Sequence, residues 1–178
     1  MTKQYLALAR GVPAPRTDLW EMDVKRVDVP TNQRSGSKRH PRGRKDGPGR
    51  TAYRVCCTRW MGPDGTKRER GRREKDLRVS LLELTLLTGR THQIRSHLLQ
   101  AGHPLAGDVR YGDKEFNALF RKHHGLRRQF LHAYRLHLTH PVSGKKLLFT
   151  DAFSNDLAGL AQELRLGIPP VSPLQVPK

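Results

Sequence analysis

The chain is short of acid. Asp and Glu together number 16 against 34 Lys and Arg, so its 178 residues carry a formal charge of +18. An excess of this size goes far beyond what solubility needs and calls for a polyanionic partner, RNA or DNA. Long apolar runs are also lacking. No stretch approaches the ~20 residues that cross a bilayer. Lys3 is followed only by a brief apolar run that Arg10 ends, which is no secretory leader, so no membrane partner is expected. Cysteine is limited to Cys56 and Cys57. Neighbouring strand residues face opposite ways, which disfavours a mutual disulfide, and no CxxC spacing exists. A reducing intracellular compartment follows, cytoplasm or organelle, with the nucleus also open. Metal-ligand spacing is missing despite nine histidines. His92 and His97 are five apart, about 140° around a helix, whereas a zincin pair uses four. His123-His124 and His137-x-x-His140 have no acids at ligand spacing, so no metal is expected. Nor does His92 have a partner histidine at a defined spacing for phosphodiester cleavage.

What is present is clustered charge. Between Thr31 and Lys75 stand 15 Lys/Arg and 4 Asp/Glu, which places 11 of the 18 excess charges there. Asn32 to Arg50 carries Arg34, Lys38, Arg39, Arg42, Arg44, Lys45 and Arg50 among Gly, Ser and Pro, without apolar periodicity. It reads as a basic loop that grips phosphates without reading bases. A nuclear address is the rival reading of the same run. A second basic burst falls at 66–75, at a hairpin tip. RNA affinity should therefore fall steeply with salt.

One domain is expected at this length. Tyr5 to Ala9 reads as a buried strand, and a chain that began inside a sheet would leave an unpaired strand edge there. Leu19 to Val29 fits no single period. Thr51 to Thr58 alternates, with Tyr53, Val55 and Cys57 on one side and Arg54 and Cys56 on the other. Asp113 caps a helix over Lys114 to His124 that Gly125 ends. Phe130 to Leu138 and Lys145 to Phe149 form a hairpin through Pro141-Val-Ser-Gly144. Asn155 or Asp156 caps a last helix with Leu157, Leu160, Ala161 and Leu164 on its inner face, and residues 166–178 are a Pro-rich tail. The fold class is α+β: a mostly antiparallel or mixed central sheet with a few packed helices.

The chain is organised around residues 82–111. Leu82, Leu84 and Leu86 alternate with Glu83 and Thr85, the mark of a half-buried strand. From Thr91 the period changes: Ile94, His97, Leu98 and Ala101 form one helical face, which Gly102 and Pro104 terminate. His97 on that stripe is expected to be a hydrogen-bonded core residue. Arg95 neighbours Thr91, His92, Leu98 and Leu99, at the border of the stripe. A part-buried guanidinium there needs a carboxylate, a phosphate or carbonyl oxygens.

The run Leu81-Leu-Glu-Leu-Thr-Leu-Leu-Thr-Gly-Arg-Thr-His-Gln-Ile-Arg-Ser-His-Leu98, followed by Gly102-His-Pro-Leu-Ala-Gly-Asp-Val-Arg-Tyr-Gly112, closely resembles the signature of the RluA-type pseudouridine synthases. The run from Lys3 through Tyr5 to Gly11 resembles the family's tyrosine-bearing strand. Leu131 through Tyr134, His140 and Gly144 to Phe149 resembles its closing hairpin. The resemblance covers Lys3 to about Leu164, weakly between Val12 and Arg50. It implies a pseudouridine-synthase-like sheet with an RNA-binding cleft, residues 1–165 forming part of the catalytic domain. It also implies isomerisation of uridine in ribosomal or transfer RNA without a cofactor; a monomer is expected. Arg95 and Tyr5 would be catalytic: Arg95 would orient a nucleophilic aspartate, and Tyr5 would pack on the flipped uracil. Arg90, Thr91, His92 and Gln93 would shape the turn and touch sugar or phosphate, and Asp108 and Tyr111 would be structural.

One departure stands out. The family's His-Arg-Leu-Asp-x-x-Thr-Ser-Gly segment, which carries the nucleophile, does not occur in these residues. The expectation is an N-terminally truncated catalytic domain, inactive alone because Arg95 has no carboxylate to meet. The alternative is a non-catalytic basic RNA-binding module.

Overall fold

The computed structural model describes residues 1–27, 47–62, 77–167 and 169. Six strands form one sheet: β1 (Thr2–Arg10), β2 (Thr17–Met22), β3 (Gly49–Met61), β4 (Leu77–Leu86), β5 (Leu131–Thr139) and β6 (Lys146–Thr150). Their spatial order is β2-β3-β4-β1-β5-β6, with every neighbouring pair antiparallel. Helices α1 (Gln93–Gln100), α2 (Lys114–His124) and α3 (Asn155–Glu163) complete the α+β fold. The basic positions Arg34, Lys38, Arg39, Arg42, Arg44 and Lys45, and the hairpin tip 66–75, lie outside the described residues.

The two faces of the sheet bury separate cores. Tyr53, Val55, Leu82 and Leu84 share one face with Ile94 and Leu98 of α1 and with Leu105. Leu6, Leu8, Val79 and Leu81 share the other with Phe116 and Phe120 of α2 and Leu157, Leu160 and Ala161 of α3. Strand β4 is consequently buried on both sides, Glu83 included, rather than half-buried as its alternation predicts. The buried strand read at Tyr5 to Ala9 is found as β1, but the unpaired edge expected of it is not. That strand is no open edge, because β4 and β5 flank it.

Two bulges decide which side chains meet. Val55 pairs with Leu82 and Cys57 with Leu81, so Cys56 is an extra residue. The alternation read from the sequence breaks there, and Cys56 and Cys57 both pack on the α2/α3 side, both free. On β5, Ala133 stands opposite Tyr5 and Arg135 opposite Gln4, which leaves Tyr134 as the bulged residue. Such a bulge turns consecutive side chains to one face. Tyr134 and Arg135 accordingly both reach Glu83.

Candidate active site

The site begins where β4 hands the chain to α1. Thr88 Oγ1 accepts the Arg50 N–H at 2.8 Å and donates to Gln93 Oε1 at 2.9 Å. Gln93 Oε1 also accepts the Arg90 N–H at 3.1 Å, and Gln93 Nε2 donates to the Arg50 carbonyl and Thr51 Oγ1 at 3.0 and 2.9 Å. All four hydrogen-bonding positions of this amide are used, and Gln93 is 2% exposed. It builds the turn and has nothing left to offer RNA, which corrects the expected contact. Arg50 likewise serves through its carbonyl, while its Nε lies 3.3 Å from Glu21.

His92 enters α1 in the left-handed region at φ 61. For a non-glycine residue this costs on the order of 1–3 kcal/mol and persists only where the surroundings impose it. Here its carbonyl accepts the Ser96 N–H at 2.9 Å. Its ring stands edge-on to Tyr111, with Nδ1 3.3 Å from the phenol oxygen. Burial lowers the His92 pKa, and the Arg95 and Arg110 guanidinium groups lower it further. Thr91 is exposed beside it.

Arg95 lies one turn further along. Its Nε and Nη2 donate to Asp108 Oδ2 and Oδ1 at 2.6 and 2.7 Å, a bidentate pair. The Arg95 side chain is 14% exposed and that of Asp108 is wholly buried. The expectation that Arg95 finds no carboxylate in this chain is therefore wrong. Its acid arrives thirteen residues later. The segment after α1 docks by backbone onto the end of β1, Arg10 N–H donating to the Pro104 carbonyl and Ala106 N–H to that of Leu8. Gly107 then turns at φ 75, where a Cβ would lie 2.1 Å from the Arg128 carbonyl oxygen. That turn delivers Asp108 beneath α1. Burial pushes the Asp108 carboxyl up, but the Arg95 bond and the N–H groups of Tyr111 and Arg110 outweigh it, so its pKa falls below the usual value. An oxygen that already accepts Arg95, Arg110 N–H and Tyr111 N–H, on a side chain without solvent access, cannot serve as a nucleophile. Asp108 is a holder. The Tyr111 ring supports the same guanidinium at 4.8 Å.

Among the described residues, Arg95 keeps Nη1 and one Nη2 hydrogen without a hydrogen-bond partner. Such a guanidinium can hold a second anion in a fixed direction. Arg110, whose Nε donates to the Val27 carbonyl at 2.7 Å, adds positive charge beside His92. Sequence reading missed Arg110 and the part Asp108 plays, since no helix or strand period links them to Arg95.

Tyr5 sits on the α1 face, packed on the cluster that contains Ile94 and Leu98. Opposite it Ala133 has only a methyl group. A cavity of about 360 Å³ opens there, lined by Lys3, Tyr5, Ala133, Leu136, Phe149 and Asp151 among others. Its walls are mostly apolar, and the exposed Phe149 ring stands at its margin. Tyr5 thus packs on the cluster to which Ile94 and Leu98 of α1 contribute, and Arg95 projects from the same helix to Asp108. Among the described residues no group of three or more His, Cys, Asp or Glu is arranged to hold a metal ion.

A family model described as RNA pseudouridylate synthase matches residues 1–100. Ribosomal large subunit pseudouridine synthase C of Haemophilus influenzae is 32% identical over 166 residues, 92% of this chain and 44% of that protein. Its Escherichia coli K12 namesake is 36% identical over 169 residues, 93% and 46% of the two chains. Ribosomal large subunit pseudouridine synthase D of Nitrosomonas europaea is 43% identical over 123 residues, 66% and 30%. The chain spans less than half the length of these curated relatives. In fold it is similar to human RNA pseudouridylate synthase domain containing 4, with a TM-score of 0.60, 22% identity and coverage of 95% and 64%. It is also similar to human RNA pseudouridylate synthase domain containing 1, at 0.52, 25%, 96% and 68%.

Proposed function

Since this chain belongs to the RNA pseudouridylate synthase family, we propose that it forms part of the active site of an intracellular enzyme that converts uridine to pseudouridine in RNA, with ribosomal RNA the favoured substrate. The reaction breaks the N1–C1′ glycosidic bond, turns the uracil and rejoins it through C5. No cofactor is required, because the base itself leaves and returns. The target nucleotide must first be taken out of its stack. In this reading the uracil enters the cavity beside Tyr5 and lies against that ring. Arg95 turns its unengaged N–H groups toward the nucleophilic carboxylate and keeps it ionised. His92, held neutral, and Arg90 and Thr91 meet the sugar and phosphate. The nucleophile comes from outside these 178 residues.

The observation that carries this reading is the guanidinium of Arg95, locked on one edge by Asp108 with its other N–H groups unengaged. The same observation favours one rival. With Asp108 in place Arg95 needs no further acid to be stable, as a non-catalytic RNA-binding relative would require. Tritium release from RNA containing 5-tritiated uridine separates the two. Residues 1–178 alone should release almost none, and a longer polypeptide carrying a His-Arg-Leu-Asp segment should release it fully. Full release from residues 1–178 would place the nucleophile within them, and Asp151→Asn would then be decisive, since Asp151 is, among the described residues, the one carboxylate lining the Tyr5 cavity. Release from neither would leave the binding module.

A further inference from the structure

The loop that carries Asp108 has a second side. Against it lies a cavity of about 280 Å³ lined by Lys114, Arg121 and Arg127 with Val109, Ala118 and Leu126. Among the described residues no carboxylate lines it. Its cations come together for local reasons. Lys114, Ala118 and Arg121 recur at i, i+4 and i+7, which makes one stripe of α2, while Phe116 and Phe120 face the core. Gly125 then reverses the chain at φ 63, and Arg127 returns alongside the helix end. Among the described residues none of the three cations makes a hydrogen bond or an ion pair. Like charges gathered about a concavity raise the local concentration of anions. Apolar wall atoms, with Val109 91% exposed at the rim, suit the sugar and base edges between phosphates.

We propose that this cavity is a docking site for a further strand of the RNA that carries the target uridine, a contact made by residues other than those of the basic segment before β3. The inference rests on the RNA-modifying reading above for its partner. Spacing selects a strand over a lone phosphate ion. Seven helical residues separate Lys114 and Arg121, about 10.5 Å along the axis, and one nucleic-acid strand places a phosphate about every 3.4 Å of duplex axis. The site also touches the Arg95 machinery. Asn117 of α2 accepts the Gly107 N–H at 2.7 Å and donates to the Asp108 carbonyl at 2.8 Å. A strand seated on the α2 stripe therefore bears on the loop that positions Asp108.

The test is RNA affinity against salt for the longest available polypeptide and its triple variant Lys114→Gln, Arg121→Gln, Arg127→Gln, with pseudouridine formation followed on the same RNA. The salt slope should fall by about one unit per cation removed, with affinity down at least tenfold at moderate salt and the melting temperature unchanged. An unchanged slope in a folded variant overturns the proposal, as does a site that takes inorganic phosphate but leaves the RNA slope alone. The two readings fail separately. A reduced slope with no pseudouridine formed by the parent protein sinks the enzyme assignment only. An unchanged slope with pseudouridine formed sinks the docking site only.

Discussion

Two buried groupings of arginine and carboxylate lie on opposite faces of one sheet, and they are built differently. On the α1 face Asp108 takes two N–H bonds from Arg95 and two from backbone, all between 2.6 and 3.0 Å. On the other face Glu83 of β4 is approached by Arg54 of β3, Gln4 of β1, and Tyr134 and Arg135 of β5. There the acid is oversubscribed and one cation is poorly served. Arg135, with a side chain 2% exposed, stands 3.7 Å from Glu83 and leaves Nε and Nη1 without hydrogen bonds. The first arrangement fixes a direction, because a planar fork on a backbone-anchored carboxylate allows one orientation. The second ties four strands in register and aims nothing. Burial of an ion pair is therefore a poor guide to function; what it leaves unengaged, and where, is the better one.

The sharpest break of this comparison removes one partner from each grouping. Arg95→Ala strands a wholly buried carboxylate and should cost about 3–5 kcal/mol, and Glu83→Ala strands Arg135 at a similar cost. Urea unfolding measures both. Turnover separates them. In the longer polypeptide, tritium release per folded molecule should be lost with Arg95→Ala and retained with Glu83→Ala. Release that survives the first or vanishes with the second would abolish the distinction. A smaller effect sharpens it. Arg135→Met removes a guanidinium that is desolvated and half-satisfied, and buried ions replaced by apolar groups of similar volume are often neutral. Its unfolding free energy should stay within about 1 kcal/mol of the parent, because Glu83 keeps Arg54 and Tyr134.

The asymmetry between the faces also explains what could be read in advance. The β4 alternation, the α1 stripe and the Asp113 cap, whose Oδ1 accepts the Phe116 N–H at 2.8 Å, depend on neighbours within one turn or one strand. Each was legible. The edge strand β2 was not, because its half-buried side chains set no clean period. For α3 the N-cap is Ser154 rather than Asn155 or Asp156, a shift of one or two residues that composition cannot resolve. The bulges at Cys56 and Tyr134 belong to pairs of strands, so no single strand announces them. Arg95 was legible as a half-buried cation in want of an acid. Its acid was misjudged, because Asp108 is brought to it by backbone docking on β1 and by the Gly107 turn, not by any local spacing.

Proton linkage gives the finest distinction, since Asp108 and His97 are shifted down while Tyr134 and Cys56 beside Glu83 are shifted up. On the α1 face Asp108 and His97 both have lowered pKa values. Asp108 is net lowered by Arg95 and backbone N–H groups against burial, and His97, whose Nε2 donates to the Met22 carbonyl, is lowered by burial. A lowered folded pKa gives stability that is present above the unfolded value and lost as pH falls. His97 therefore weakens the fold as pH drops below about 6.5, and Asp108 as it drops below about 3.9. On the Glu83 face burial raises Tyr134, and its bond to Glu83 raises it further. Burial also takes the Cys56 thiol up to about 11. A raised folded pKa gives stability that is complete below the unfolded value and lost above it, so this face fails in alkali. Tyr53, raised by burial on the α1 face, shares in that alkaline loss. The faces are thus told apart by variants and not by the parent curve. His97→Gln should flatten the decline between about pH 6.5 and 5 and leave the alkaline limb alone. Tyr134→Phe should flatten the limb above about pH 10 and leave the acid one alone. Each limb moving with the other face's variant would mean that the two groupings unfold as one network.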